Sequence, residues 1–179
     1  SQDVLASIIG GFEFACGNGP LCAEPMRHVK VTLVNLQLSE NEQMRDSSEV
    51  MRGVCKAVFG SFLTAKPVLL EPVYKIVITV PTELAGECSR IMETKRGKIS
   101  SFEQKGLLSI ITGHIPVSET FGLSKEMRSA TSGRAFWQSM LDCWQQMPEK
   151  LASKVILENR KRKGLASEVP SASRFLEET

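Results

Sequence analysis

VYKIVITVPTELAGECSRIMETKRG, residues 73–97, decides how this chain is read. Val73 to Val80 are β-branched or aromatic at every position but Lys75, which suits a packed, pleated strand. TELAGECSRIMETKRG then reads as a helix, with Thr82 as its cap and Gly97 as its stop. Downstream, KISSFEQ and LLSIITGHI flank a Lys105-Gly106 turn and form a hairpin. VSETFGLSKEMRSATSG carries Phe121, Leu123 and Met127 on a short helix ended by Gly133, and RAFWQSMLDCWQQM is a last long strand. Strand, helix, strand, strand, helix, strand is the split βαβ, ferredoxin-like order. On a regular strand, Trp137 and Trp144 fall on opposite faces.

Upstream, DVLASIIGGFEFAC places Val4, Leu5, Ile8, Ile9, Phe12 and Ala15 at helical spacing, and Gly17 and Asn18 suit a left-handed cap. RHVKVTLVNLQL alternates like a strand with one buried face. The polar loop LSENEQMRDSSEV, residues 38–50, follows, with Ser47 or Ser48 placed to cap the helix EVMRGVCKAVFGSFLTA. Pro67 closes that segment. After Pro148, EKLASKVILENRKRKGL is an amphipathic helix whose cations suit the negative end of its dipole. The tail ASEVPSASRFLEET reads as loosely held. The expected domains are 1–70, 71–147 and 148–179, the last a helix packing back on the first, plus the tail.

The bulk numbers bound this reading. The 179 residues suffice for one large or two small cores, and 42% hydrophobic with 23% charged residues are ordinary globular values. Five scattered cysteines without C-x-x-C spacing argue for reduced thiols and against a zinc site. No run is long enough to span a membrane, and the start does not resemble a signal peptide. Neither a phosphate loop nor a G-x-G-x-x-G motif is present. The adjacent glycines of IIGGF read as close helix packing, and Glu119 as a helix-start carboxylate rather than a base. RKRKG reads first as a solvated helix end, with phosphate contact as the sharper alternative. The residues alone point to an α+β protein of two α/β modules without catalytic, cofactor-binding or metal residues. A split βαβ unit with a basic rim suits an RNA- or protein-binding module, and fold by itself does not choose.

Several stretches, in order over nearly the whole chain, resemble one family: NGPLCAEPMRHVKVTL, LLEPVYKIVITVP, KRGKISSFEQ, PVSETFGLSKEMRSATSGRAFWQ and NRKRKGL. They are similar to the carboxy-terminal third of elongation factor 2, the archaeal and eukaryotic counterpart of elongation factor G. RAFW and EVPSASRFL lean toward archaeal forms. The resemblance implies an S5-like partial domain IV lacking its first strands, a ferredoxin-like domain V, and a C-terminal helix returning to the first module. It implies a monomeric, cytoplasmic piece of a translocation GTPase whose partners are the ribosome, with its RNA and proteins, and transfer and messenger RNA. GTP and magnesium belong to the full-length protein, and the chain itself is not expected to be an enzyme.

The resemblance also makes the 38–50 loop the tip of domain IV, which enters the decoding region. There the family reads roughly L-H-x-D-x-x-H-R-G, its second histidine becoming diphthamide. Here Ser39 stands for the first histidine, Met44 for the modified one, and Asp46 for the glycine; Asn41 and Arg45 complete the tip, and only Arg45 matches. Methionine has no ring on which to build the modification. The tip residues Ser39, Asn41, Met44, Arg45 and Asp46 are therefore candidate ribosome contacts, as are the clustered cations Lys95, Arg96 and Lys98 in the second unit. Alternatives are a diphthamide-lacking paralogue in ribosome assembly, recycling or dormancy, and a protein-binding scaffold away from the ribosome.

Overall fold

The computed structural model describes residues 2–41 and 46–176. The chain forms two units, residues 69–147 and residues 1–68 with 148–179.

In the unit of residues 69–147, β1 (Leu70–Pro81) runs between β3 (Leu108–Pro116) and β4 (Phe136–Gln146), and β2 (Lys98–Lys105) lies on the far side of β3. All pairings are antiparallel, in the order β2-β3-β1-β4. Ile76, Ile78 and Val80 of β1 share a buried face with Ile111 and Ile115 of β3. Helices α3 (Ala85–Thr94) and α4 (Leu123–Thr131) close it with Cys88, Ile91, Met92, Leu123 and Met127. This is the ferredoxin-like arrangement, with the opposite face of the sheet free of these helices.

Local details depart from the sequence expectations. Thr82 to Leu84 form a 3-10 turn ahead of α3 rather than its first α-turn. Arg96, not Gly97, takes the left-handed conformation after α3, at φ +56°. Gly97 is needed for space: its amide donates to the Met92 carbonyl at 2.8 Å, and a Cβ there would sit 2.7 Å from the same oxygen. Phe121 is 80% exposed rather than buried with Leu123 and Met127. The two tryptophans are not on opposite faces. A bulge in β4 opposite Val73 and Tyr74 shifts the register, so that Trp137 faces Ile78 and Trp144 faces Pro72, on one side of β1.

In the other unit, α1 (Gln2–Gly17) packs on α2 (Ser47–Thr64). The buried stripe of α1 is Ser7, Gly11 and Ala15, while Leu5, Ile9 and Phe12 of the expected face stay exposed. Small residues let the helix backbones approach closely: a Cβ on Gly11 would lie 2.8 Å from the Met51 carbonyl oxygen. α1 ends without a left-handed residue, because the backbone and side-chain amides of Asn18 both donate to the Phe14 carbonyl, at 3.1 and 3.0 Å. Asp46, rather than either serine, occupies the cap position of α2. No strand forms over residues 27–38, because no described segment pairs with it, and Val34 is 92% exposed.

The C-terminal segment belongs to this unit. α5 (Glu149–Arg162) is anchored to the 19–24 loop, and the tail is ordered through α6 (Ser173–Leu176). The Phe175 ring packs edge-on against Phe59 at 5.6 Å, and Leu176 fills the space over Gly60. The tail is thus held by apolar contacts that its polar composition hides.

Gly11→Ala forces a methyl against backbone that cannot rotate away. It is expected to lower the unfolding free energy by about 1–3 kcal/mol, measured by denaturant unfolding followed by circular dichroism. Wild-type stability in that variant would mean that α1 and α2 separate without cost.

Candidate functional site

The tip candidates divide by position. Ser39, Asn41 and Asp46 are exposed residues of the 38–50 loop, whereas Met44 and Arg45 lie outside the described residues. The Asn41 amide donates to Ser39 Oγ at 3.2 Å, a local turn of the kind short hydroxyl side chains make. Toward the other end of the loop, Ser48 Oγ donates to Asp46 Oδ2 at 2.6 Å, and the Asp46 carbonyl accepts from the Val50 amide at the start of α2. Glu49 and Arg52 pair at 2.8 Å one turn on.

The three clustered cations of the other unit have different surroundings. Lys95 Nζ reaches Glu126 of α4 at 2.9 Å, and its side chain is only 13% exposed. Arg96 lies in a carboxylate clamp. Its Nη1 and Nη2 donate to the two oxygens of Glu71 at 2.8 and 2.9 Å, and its Nε donates to Glu119 at 2.8 Å. The hydrogen bonds to Glu71 come first among the causes holding the guanidinium in its charged form above its ordinary range. Bidentate pairing is the strong geometry for arginine and carboxylate, and it suits Glu71, which is buried. Glu119 therefore serves Arg96 from the 3-10 turn Val117–Thr120, rather than the start of α4. Lys98 differs from both. It opens β2, is exposed, and has no ion-pair partner among the described residues.

The basic end of α5 is also divided. Arg160 is buried and donates to the carbonyls of Pro20 and Leu21, at 3.1 and 2.7 Å, and to that of Ala166. Lys163 reaches the carbonyls of Cys22 and Ala23 and pairs with Glu24 at 2.7 Å. Lys161 and Arg162 remain exposed. In sequence all four look alike; their separation is one of helical phase, visible only once the 19–24 loop lies against one side of α5. Burial pushes the Cys22 and Cys88 thiols up, so neither is an activated nucleophile.

The family described as elongation factor G C-terminus matches residues 68–155. Over 93% of its length the chain is 44% identical to elongation factor 2 of Korarchaeum cryptofilum, and over 98% it is 41% identical to that of Sulfurisphaera tokodaii. With Cenarchaeum symbiosum elongation factor 2 the identity is 40%, again over 98% of the chain. The chain spans about a quarter of the length of these relatives. A crystal structure of a Thermus thermophilus protein shares the fold, with TM-score 0.67 and 20% identity over 90% of this chain and 24% of that one. No described helix is long and apolar enough to cross a membrane.

Removing one partner of the clamp strands a buried charge. Arg96→Met is expected to cost about 3 kcal/mol, whereas Arg96→Met with Glu71→Leu recovers most of it; the two are compared by urea denaturation. Equal losses in both would show that the clamp is not where the energy lies. Cys22 and Cys88, buried and with raised pKa, should resist iodoacetamide at neutral pH in the native protein and react once urea unfolds it, which peptide mass mapping reads out.

Proposed function

Because the chain belongs to the elongation factor 2 family and corresponds to that family's C-terminal region, we propose that it is the ribosome-binding part of a translational GTPase. In this reading it acts in translocation, with the 38–50 loop entering the decoding region. The observation that carries the proposal is the alignment of 93–98% of the chain with elongation factors 2 at about 40% identity. Ribosomal RNA and proteins, with transfer and messenger RNA, are the partners of the whole protein, a cytoplasmic monomer. GTP and magnesium are bound by its remaining portion, and this chain contributes contacts rather than hydrolysis.

At the tip, Arg45 supplies the cation, with Ser39, Asn41 and Asp46 bordering it and Met44 where the family carries its modified histidine. Glu40, Glu42, Asp46 and Glu49 lie close in sequence to that one arginine. Carboxylates within about 8–10 Å weaken its attraction for RNA phosphates. In the other unit Lys98 is the cation with least internal obligation, while Lys95 and Arg96 reach RNA only alongside their carboxylate partners. Met44 favours a second reading, a diphthamide-lacking paralogue working in ribosome assembly, recycling or dormancy. A looser grip on the decoding region fits that role.

Co-sedimentation with ribosomes across a salt series tests the proposal. Arg45→Glu and Lys98→Glu are each expected to lower the dependence of log affinity on log salt by about one unit. Unchanged binding in both variants would overturn these contacts. The Met44 assignment has its own check. The protein incubated with labelled NAD and a diphthamide-specific ADP-ribosylating toxin, diphthamide-building enzymes supplied, should stay unlabelled; label in the loop would shift the register.

A further inference from the structure

The face of the sheet opposite α3 and α4 carries a row in which two lysines, on either side of a histidine, have no ion-pair partner among the described residues. Lys98 of β2 lies directly across from His114 of β3, and His114 directly across from Lys75 of β1. Adjacent strands are about 4.8 Å apart, so the two lysines stand about 10 Å from one another with the imidazole between them. Like charges at about this range, one screening length at ordinary salt, repel weakly. The carboxylate at this row is Asp142, whose Oδ2 lies 3.2 Å from His114 Nε2. Lys75 and Lys98 are both exposed and without an ion-pair partner among the described residues. Farther along the same face, Lys105 and Glu103 satisfy each other at 3.5 Å.

The rest of this face suits a polymer rather than a lone anion. The next row holds Ser101, Thr112, Val77 and Gln138, which combine hydroxyl and amide groups with one aliphatic side chain. Along β4, Met140 and Phe136 stand opposite Lys75 and Thr79 and are 66% and 63% exposed. Cations flanking a row, hydrogen-bonding groups beside them and an exposed aromatic ring, Phe136, at one margin are features that single-strand nucleic-acid sites combine.

We infer that this open sheet face is a second RNA-binding surface, with backbone phosphates over the Lys98–His114–Lys75 row and bases turned toward Met140 and Phe136. The inference rests on the ribosomal reading for its choice of RNA as ligand, and it extends the single Lys98 contact of that reading to a surface that includes Lys75, His114, Met140 and Phe136. The two central strands present Val77, Thr79, Ile110 and Thr112 here. Without aromatic platforms on those strands, the face reads phosphate and tolerates different bases.

Fluorescence anisotropy of the full 179-residue chain with labelled oligouridylate and oligoadenylate tests this. Lys75→Ala with Lys98→Ala is expected to weaken both by about tenfold at low salt and to reduce the salt slope by about 1.4, or about 0.7 per phosphate on a single strand. Lys75→Arg with Lys98→Arg should bind like the wild type, and so should Lys154→Ala on α5. Thermal unfolding confirms that the alanine pair is folded, both positions being exposed. A wild-type slope in the alanine pair would overturn the inference. So would competition by polyglutamate as effective as by RNA, which would make the face a dock for acidic protein. Ribosome co-sedimentation separates this claim from the larger one. Wild-type chain that binds oligouridylate but not ribosomes sinks the ribosomal reading alone; ribosome binding with a slope unmoved in the alanine pair sinks the sheet face, and the Lys98 contact with it, while the ribosomal reading stands.

Discussion

Glu71 enters β1 as a buried carboxylate, and the rest of its unit is arranged so that a guanidinium meets it. Burying a carboxylate without a partner costs several kcal/mol, so the cation is a condition of the fold rather than an addition to it. Arg96 can meet it only from a backbone turned out of the helical path, which its φ of +56° provides at the junction of α3 and β2. The next residue must then pass close to the Met92 carbonyl, where only glycine fits. Glu119 brings the connection from β3 to α4 into the same cluster. The hydrogen bonds of Arg96 to Glu71 and Glu119 thereby tie together the start of β1, the end of α3 and the exit from β3. The net contribution of this clamp to stability is small beside the cost of breaking it, since a matched apolar pair could fill the same space.

How much of this was legible in the sequence depends on the range of the interaction concerned. The element order of the 69–147 unit was readable because each element has its own period, two for the strands and about 3.6 for the helices, even though only β2 and β3 are both consecutive and paired. The β4 bulge was not, because one extra residue leaves composition and alternation almost untouched while reversing every face beyond it. Trp144 changed sides for that reason. On α1 the large apolar residues suggested a core face, yet the buried line is Ser7, Gly11 and Ala15. Close approach of two helices selects for small residues, and hydropathy scales rank these poorly. Residues 27–38 show the converse: alternation promised a strand, but a strand is a property of two segments, and no described segment lies alongside.

The candidate site was legible to a different depth. Charge clustering located the cations but could not sort them, since Lys95, Arg96 and Lys98 are chemically alike in a string and their partners lie 23 to 31 positions away or are absent among the described residues. The same held for Arg160 and Lys163, whose carbonyl partners come from about 140 residues earlier. His114, Lys75 and Asp142 gave no sequence signal at all, because only the ladder register places them side by side.

What sorts the cations is what each would give up to bind an anion. Arg96 would have to share hydrogen bonds already made with two carboxylates, one of them buried, and any phosphate approaching it meets that negative charge first. Arg160 would have to abandon carbonyls that hold the 19–24 loop, so binding there would be coupled to local unfolding. Lys98 and Lys75 would give up only hydration and mutual repulsion, and an anion relieves the second. The difference favours the exposed row even though the buried guanidinium makes the stronger contacts. In this fold the arginines with the best geometry are committed to structure, and the capacity to attract RNA is left to lysines whose positions the sheet dictates and whose charges nothing inside the fold requires.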